Sequence, residues 1–290
     1  MVDHVFEVRT NESALLGVMD RLLAPFACPE PGGASATYEL RKVDAGADGR
    51  PYEILRNGGS AGRASSLALL LDRLVRETTE AAVSSSTTYA AIHAAAASCR
   101  GRAVVMPAPG GHGKTTTVAA LVRGGWDFLT DEAALISMDD GLVHPFPRPL
   151  SISPSSIELL PGLKERLPAT YEVFRQFDHR LAPVDLRPGC ITGPVPLALV
   201  VFPSYSHKST TTLVPMSRAE ALVELLKGTF NLDVLGREAV HALATVVARV
   251  PCHRLSIGDL ATAVQAIHGL LMEPRAVVRE PVRRPLRNRS

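Results

Sequence analysis

Cysteine is scarce and scattered in this sequence. Cys28, Cys99, Cys190 and Cys252 form no C-x-x-C pair, which argues against a zinc site or a disulfide framework and fits a reducing compartment. Excess charge of one sign is missing too. A net charge of +2 over 290 residues falls short of the concentrated basic surface of a nucleic-acid binder. The one dense basic stretch, Arg275 to Arg289 interleaved with prolines, holds too little apolar area to order itself, so 273–290 reads as a flexible tail. Long hydrophobic runs are absent as well: those at Leu67–Leu71, Leu197–Phe202 and Leu243–Val250 are far too short to span a bilayer. The opening Met1-Val-Asp-His-Val-Phe-Glu lacks a basic n-region and an apolar h-region, so the expectation is a cytoplasmic protein without nucleic-acid or membrane partners.

What is present suits a globular chain. At 46% hydrophobic residues there is ample apolar material for one large or two modest domains. Residues 1–60 read as a small α+β region: a strand at 3–9, a helix at 11–23 opened by Asn11, and a hairpin of 36–43 with 51–56 closed by Asn57-Gly-Gly-Ser. Residues 61–272 then form the main unit. A helix at 64–83 precedes two paired strands, Tyr89–Ser98 and Arg102–Met106, about the turn Arg100-Gly101. A helix over Thr115–Arg123, one or two strands over Asp127–Ser137 and an extended piece at Leu142–Phe146 follow. The proline-rich middle predicts a helix near 163–178 and a mobile segment over 180–193. Val195–Phe202 is apolar throughout, as in a strand buried on both faces. Ser217-Arg-Ala-Glu220 is a capping box for a helix to Gly228, and helices at 236–249 and 259–272 flank a strand at 250–256.

The segment with the clearest chemistry is Ala108-Pro-Gly-Gly-His-Gly-Lys-Thr115. It follows the phosphate-loop pattern G-x-x-x-x-G-K-[ST], with alanine at the first position, where a small side chain suffices. Gly110, Gly111 and Gly113 let successive amides turn toward one anion. Those amides and the positive end of the next helix cradle a β-phosphate. Lys114 spans the β- and γ-phosphates, and the Thr115 hydroxyl coordinates Mg²⁺. His112 occupies a variable position facing solvent or the γ-phosphate. The expected nucleotide contacts are therefore Pro109, Gly110, Gly111, His112, Gly113, Lys114, Thr115 and Thr116. The β-branched run Ala103-Val-Val-Met before the loop and the helix-forming run after it supply the strand–loop–helix context that a chance glycine turn lacks.

Asp131 and Glu132 close the strand run Trp126-Asp-Phe-Leu-Thr. Adjacent acids at a strand end are by themselves ordinary solvated surface, but here they fall on the next strand after a phosphate loop. One would hold Mg²⁺ with Thr115 and the other would take a proton from an acceptor; which does which stays open. His93 lies alone among alanines on a strand, where a lone histidine is more often a core residue with one hydrogen bond than a phosphate or acceptor contact. Arg148 is fixed between two prolines and can grip a transferring phosphoryl group through its guanidinium fork.

The order of His93-Ala-Ala-Ala-Ala-Ser, the loop, and Leu121-Val-Arg-Gly-Gly-Trp-Asp-Phe-Leu-Thr-Asp-Glu resembles HPr kinase/phosphorylase and the shorter HPr-kinase-related proteins. Pro145-Phe-Pro-Arg-Pro-Leu150 resembles a segment of the latter, and the likeness extends over roughly 65–270. It implies an α/β fold: a P-loop kinase core of HPr kinase/carboxykinase type, with a mixed sheet and flanking helices. It also implies ATP and Mg²⁺ as cofactors, with transfer to a serine-type hydroxyl of a peptide or protein acceptor. His93, Lys114, Asp131, Glu132 and Arg148 then form the catalytic set, Thr115, Asp131 and Glu132 the metal set, and a homo-oligomer is an open expectation. The family's double acid is usually Asp-Asp, and its Glu-x-Arg-Gly signature is absent here, so HPr itself is not the expected substrate. The alternative from another class is a nucleotide-sensing binding module that transfers nothing. A carboxykinase would need a longer chain.

Overall fold

The computed structural model describes residues 4–28, 33–167, 179–206 and 209–273. Its first unit is a four-stranded sheet in the order β1-β2-β3-β4, formed by β1 (Phe6–Thr10), β2 (Ala36–Lys42), β3 (Tyr52–Arg56) and β4 (Gly59–Ala64). β1 and β2 run parallel, joined through α1 (Ser13–Leu23), and β2–β3–β4 is antiparallel. Lys42 faces Tyr52, so the hairpin across the loop read from turn formers is present. Two details differ from the sequence reading. The helix opens at Ser13, and its N-cap Glu12 makes no side-chain capping bond. β4 was missed because Gly-Ser-Ala-Gly-Arg-Ala has neither β-branching nor alternation to announce a strand.

α2 (Leu67–Ser84) follows, opened by Ser66, whose Oγ accepts the Leu69 amide. The main sheet has eight strands in the order β13-β14-β12-β6-β5-β8-β9, with β7 on β5: β5 (Tyr89–Cys99), β6 (Arg102–Pro107), β7 (Asp127–Thr130), β8 (Ala133–Ser137), β9 (Leu142–His144), β12 (Val195–Tyr205), β13 (Thr212–Pro215) and β14 (Cys252–Ile257). It is mixed: β12 is parallel to β6 and β14, and β5 is antiparallel to its neighbours. β9 also pairs with the start of β12, so the ladder closes on itself through β5, β6, β12, β9 and β8.

Strand alternation sorts the core. Ala95, Ala97, Val104 and Met106 face α3 (Lys114–Arg123), α9 (Leu260–Met272), α2 and the N-terminal unit. Ala94, Ala96, Ala103 and Val105 face α6 (Arg218–Lys227) and α8 (Arg237–Arg249). A sheet covered on both faces can carry continuous apolar strands, as β6 and β12 do. Ala95 and Ala97 on β5, fully buried, leave room for α3 to lie close against it. The capping box at Ser217 and Glu220 is formed in both directions.

The proline-rich middle departs most from expectation. Of the helix read near 163–178, the described residues 163–167 hold a single 3₁₀ turn, Lys164–Arg166; residues 168–178 lie outside the described ones. The stretch read as mobile is instead packed. β10 (Leu150–Ile152) pairs antiparallel with β11 (His179–Leu181), and Leu181, Ala182, Leu186 and Cys190 are buried in the larger core cluster. α4 (Pro154–Glu158), α5 (Pro183–Leu186) and α7 (Leu232–Leu235) are short pieces that no periodicity could announce. The basic tail from 274 onward lies outside the described residues. Among those described, no helix is long and apolar enough to cross a membrane.

One buried polar side chain fixes the α6–α7 connection to the start of β5. Asn231 is fully buried, donates to the carbonyls of Ser86 and Tyr89, and accepts the Ala91 amide. Truncating it strands three buried backbone groups, so Asn231→Ala lowers stability by about 3 kcal/mol. The check is urea unfolding, where the midpoint falls at unchanged slope.

Candidate active site

The glycine loop links β6 to α3. Gly111 and Gly113 have φ of +79° and +85°, a region that costs any residue with a Cβ and that glycine enters freely. Gly113 is the N-cap of α3, so the loop delivers its amides to the helix start, where α3 leaves its first-turn N–H groups without helical acceptors. The Lys114 stem is buried, and its Nζ folds back to the carbonyls of Ala108 at 2.5 Å and Pro109 at 2.9 Å. Burial lowers the lysine pKa, against the pull of Glu132 and Asp131. Its charge thus sits across the turn with carbonyl oxygens as its hydrogen-bond partners, in a place suited to an anion. Pro109, Gly110 and Gly111 are exposed at the rim, and His112 is half-buried. The Thr116 hydroxyl turns to the side instead, donating to Ser156 Oγ of α4 at 2.9 Å.

Adjacent residues on a strand point to opposite faces, which would separate Asp131 from Glu132. The structure avoids this by interrupting the strand: β7 ends at Thr130 and β8 begins at Ala133. Thr130 Oγ1 accepts the amides of Glu132 and Ala133, and the Glu132 carbonyl accepts from Ala94. The break lets both carboxylates act on Lys114. Asp131 is only 1% exposed. Its Oδ2 accepts the Ser151 amide at 3.2 Å and lies 3.5 Å from Thr115 Oγ1; its Oδ1 lies 3.3 Å from Arg148 Nε. Burial pushes the Asp131 carboxyl up from its ordinary value, while Arg148 holds it down and Glu132 pushes it further up. Glu132 is half-buried and meets His93, with Oε1 3.4 Å from Nε2.

His93 interrupts the alanines of β5 at the level of the strand break, opposite Ala133. Burial lowers its pKa, Lys114 and Arg148 lower it further, and Glu132 opposes them. The ring of Phe230 lies against it at 5.4 Å. Arg148 is carried by Pro145–Pro149, a loop docked on β7 through the bond from the Phe146 amide to the Leu129 carbonyl. Phe146 also meets Phe26 of the N-terminal unit edge-on, and a small recess lined by Phe6, Phe26, Phe146 and Arg148 connects that unit to the site.

The sequence-derived residues Lys114, Thr115, Asp131, Glu132, His93 and Arg148 therefore converge, joined by contacts or by direct electrostatic influence. Sequence reasoning missed Arg180 of β11, which is buried, pairs with Asp72 of α2 and favours ionised Asp131. It also missed Phe230 and Ser151. None lies in a motif; each reaches the site only through tertiary pairing. A cleft between the β8–β9 turn and α8, lined by Asp139, Asp140, His241 and Arg249, shares no residue with this cluster. Among the described residues, no group of three or more His, Cys, Asp or Glu could hold a metal by itself. A nucleotide-bound Mg²⁺ does not need one, because phosphates and water supply most of its ligands. No protein-family model matches the chain, and no curated protein matches it.

Proposed function

We propose that this protein is an ATP- and Mg²⁺-dependent kinase with a P-loop kinase core of the HPr-kinase-related type. It passes the γ-phosphoryl group to a serine-type hydroxyl on a peptide or protein acceptor. The observation that supports this most is the convergence of six residues from four places in the fold on the mouth of one glycine loop: a buried lysine and a helix-start threonine of α3, two carboxylates of the β7–β8 break, a histidine of β5 and an arginine of the 145–149 loop. A glycine turn formed for structural reasons alone has no need of His93, Asp131, Glu132 and Arg148.

The residues divide the work by position. The loop amides and Lys114 grip the polyphosphate, and the lysine exchanges its carbonyl partners for phosphate oxygens. Thr115 and Asp131, which already meet through Oγ1 and Oδ2, would hold Mg²⁺, a hydroxyl and a carboxylate oxygen being the hard donors that this ion takes. The metal supplies charge neutralisation at the phosphoryl oxygens. Glu132, the more accessible acid, receives the hydroxyl proton. His93 orients Glu132 from 3.4 Å and stays neutral near pH 7, because its pKa is lowered. Arg148 grips the phosphoryl group from the other side of Asp131.

The test is incubation with Mg·ATP and serine-bearing peptides, followed by mass spectrometry. Phosphate added by the wild-type protein supports a kinase. Tight nucleotide binding with neither peptide modification nor ADP release makes the chain a sensor.

A further inference from the structure

Two arginines stand by Asp131 away from Thr115, and their hydrogen-bonding capacity is only partly used. Arg148 and Arg180 have side chains only 8% exposed. Nε of Arg148, and both Nε and Nη1 of Arg180, are buried without a hydrogen-bond partner among the described residues. The β10–β11 ladder places Arg180 opposite Ser151, whose amide holds Asp131. The carboxylate facing Arg180 is Asp72, through Nη2 alone, and Asp72 is itself 43% exposed. Asp131 faces Arg148 through Oδ1, which lacks a hydrogen-bond donor. Buried guanidinium N–H groups left without acceptors are costly. Two such forks beside one carboxylate form a receptor for a group with several oxygens and negative charge.

We propose that Arg148 and Arg180 form an oxyanion subsite on the Arg148 side of Asp131, across from Thr115, that takes a phosphate-class group. The inference rests on the kinase reading and adds a second anion position to the glycine loop. The occupant comes from one of two sources with the same chemistry: the phosphoryl group in transit, or an anionic group carried by the acceptor near its hydroxyl. Asp72 is the subsite's internal competitor, holding one edge of Arg180 until an anion takes the others.

The experiment measures thermal stabilisation of the full chain by inorganic phosphate, with the glycine loop first filled by Mg²⁺ and either ADP or a non-hydrolysable ATP analogue. Additional phosphate stabilisation with the ATP analogue present is the acceptor-group arm. Stabilisation with ADP that vanishes with the analogue is the transit arm. In either arm Arg180→Gln raises the phosphate concentration needed by at least tenfold, Arg180→Lys by less, and Asp72→Asn lowers it. The subsite is overturned if phosphate has no effect on the wild type in either state, or if Arg180→Gln and Arg180→Lys leave the phosphate dependence unchanged. Equal losses of stability in Arg180→Gln and Asp72→Asn with no change in phosphate dependence would reduce the pair to a structural tie. Failure of the kinase reading looks different: either the nucleotides themselves give no stabilisation, or they stabilise the chain while the peptide assay finds no phosphate added.

Discussion

Lys114→Ala abolishes phosphoryl transfer while leaving the nucleotide-free protein folded. The expected fall in turnover is on the order of 10³-fold or more, the scale seen when a preorganised charge or donor aimed at a developing anion is removed. Two physical facts separate this outcome from misfolding. The Lys114 ammonium is buried with a lowered pKa, so its charged form is disfavoured in the folded chain relative to the unfolded one. That cost is fully present at pH below the folded-state pKa, fades as pH rises from there to the unfolded value, and is gone above it. Near pH 7, removing the charge therefore does not weaken the free protein through this route. Lys114→Met keeps most of the apolar stem and guards against a cavity. Ligand linkage gives the second readout. Saturating Mg·ATP at about 100 times its Kd stabilises by about 2.7 kcal/mol, which for a chain this size is a rise in Tm of roughly 5 °C. The rise is expected in the wild type and absent in both variants. Full turnover in Lys114→Ala would sink the assignment of the loop.

The loop was legible because its chemistry is local. Glycine spacing, one lysine and one threonine specify a turn, a charge and a helix start within eight residues, and the strand before it and helix after it are short-range patterns too. The two acids were legible by their place on the next strand, although the strand pattern alone would have sent them to opposite faces. What brings them together is Thr130, whose hydroxyl takes over two amides at the break between β7 and β8. That device has no sequence signature beyond a threonine before two acids. The alanines of β5 show the opposite case. Alanine favours helix, yet the run is a strand because sheet pairing on both sides and burial on both faces outweigh that preference.

The proline-rich middle stayed opaque for a different reason. β10 and β11 are three residues each, below the length at which alternation can be recognised, and their pairing joins positions far apart in the chain. Arg180 sits inside that ribbon, so nothing near it in sequence marks it. Phe230 is similar: the chain around it is fixed by Asn231 reaching β5, and only then does its ring come to lie against His93. The proposed catalytic residues lie in short motifs. Their supporting neighbours are written in the topology.

The sequence left the roles of Asp131 and Glu132 open, and geometry now separates them into unequal predictions. Glu132→Gln removes the accessible carboxylate beside His93, so turnover falls by about 10²- to 10⁴-fold with nucleotide affinity little changed, as for loss of a general base. Asp131→Asn acts elsewhere. The carboxyl it replaces is buried between Thr115, the Ser151 amide and Arg148, so the variant weakens the Mg²⁺ grip and leaves Arg148 facing a neutral amide. Its expected signature is a Mg²⁺ requirement raised by at least tenfold, with turnover partly recovered at high metal. Titrating Mg²⁺ at saturating ATP in both variants reads the difference directly. If Glu132→Gln responds to metal and Asp131→Asn loses turnover at every Mg²⁺ concentration, the two roles are exchanged. The strand break then still does the same job, because either assignment needs two neighbouring carboxylates on one side of a strand that would otherwise divide them.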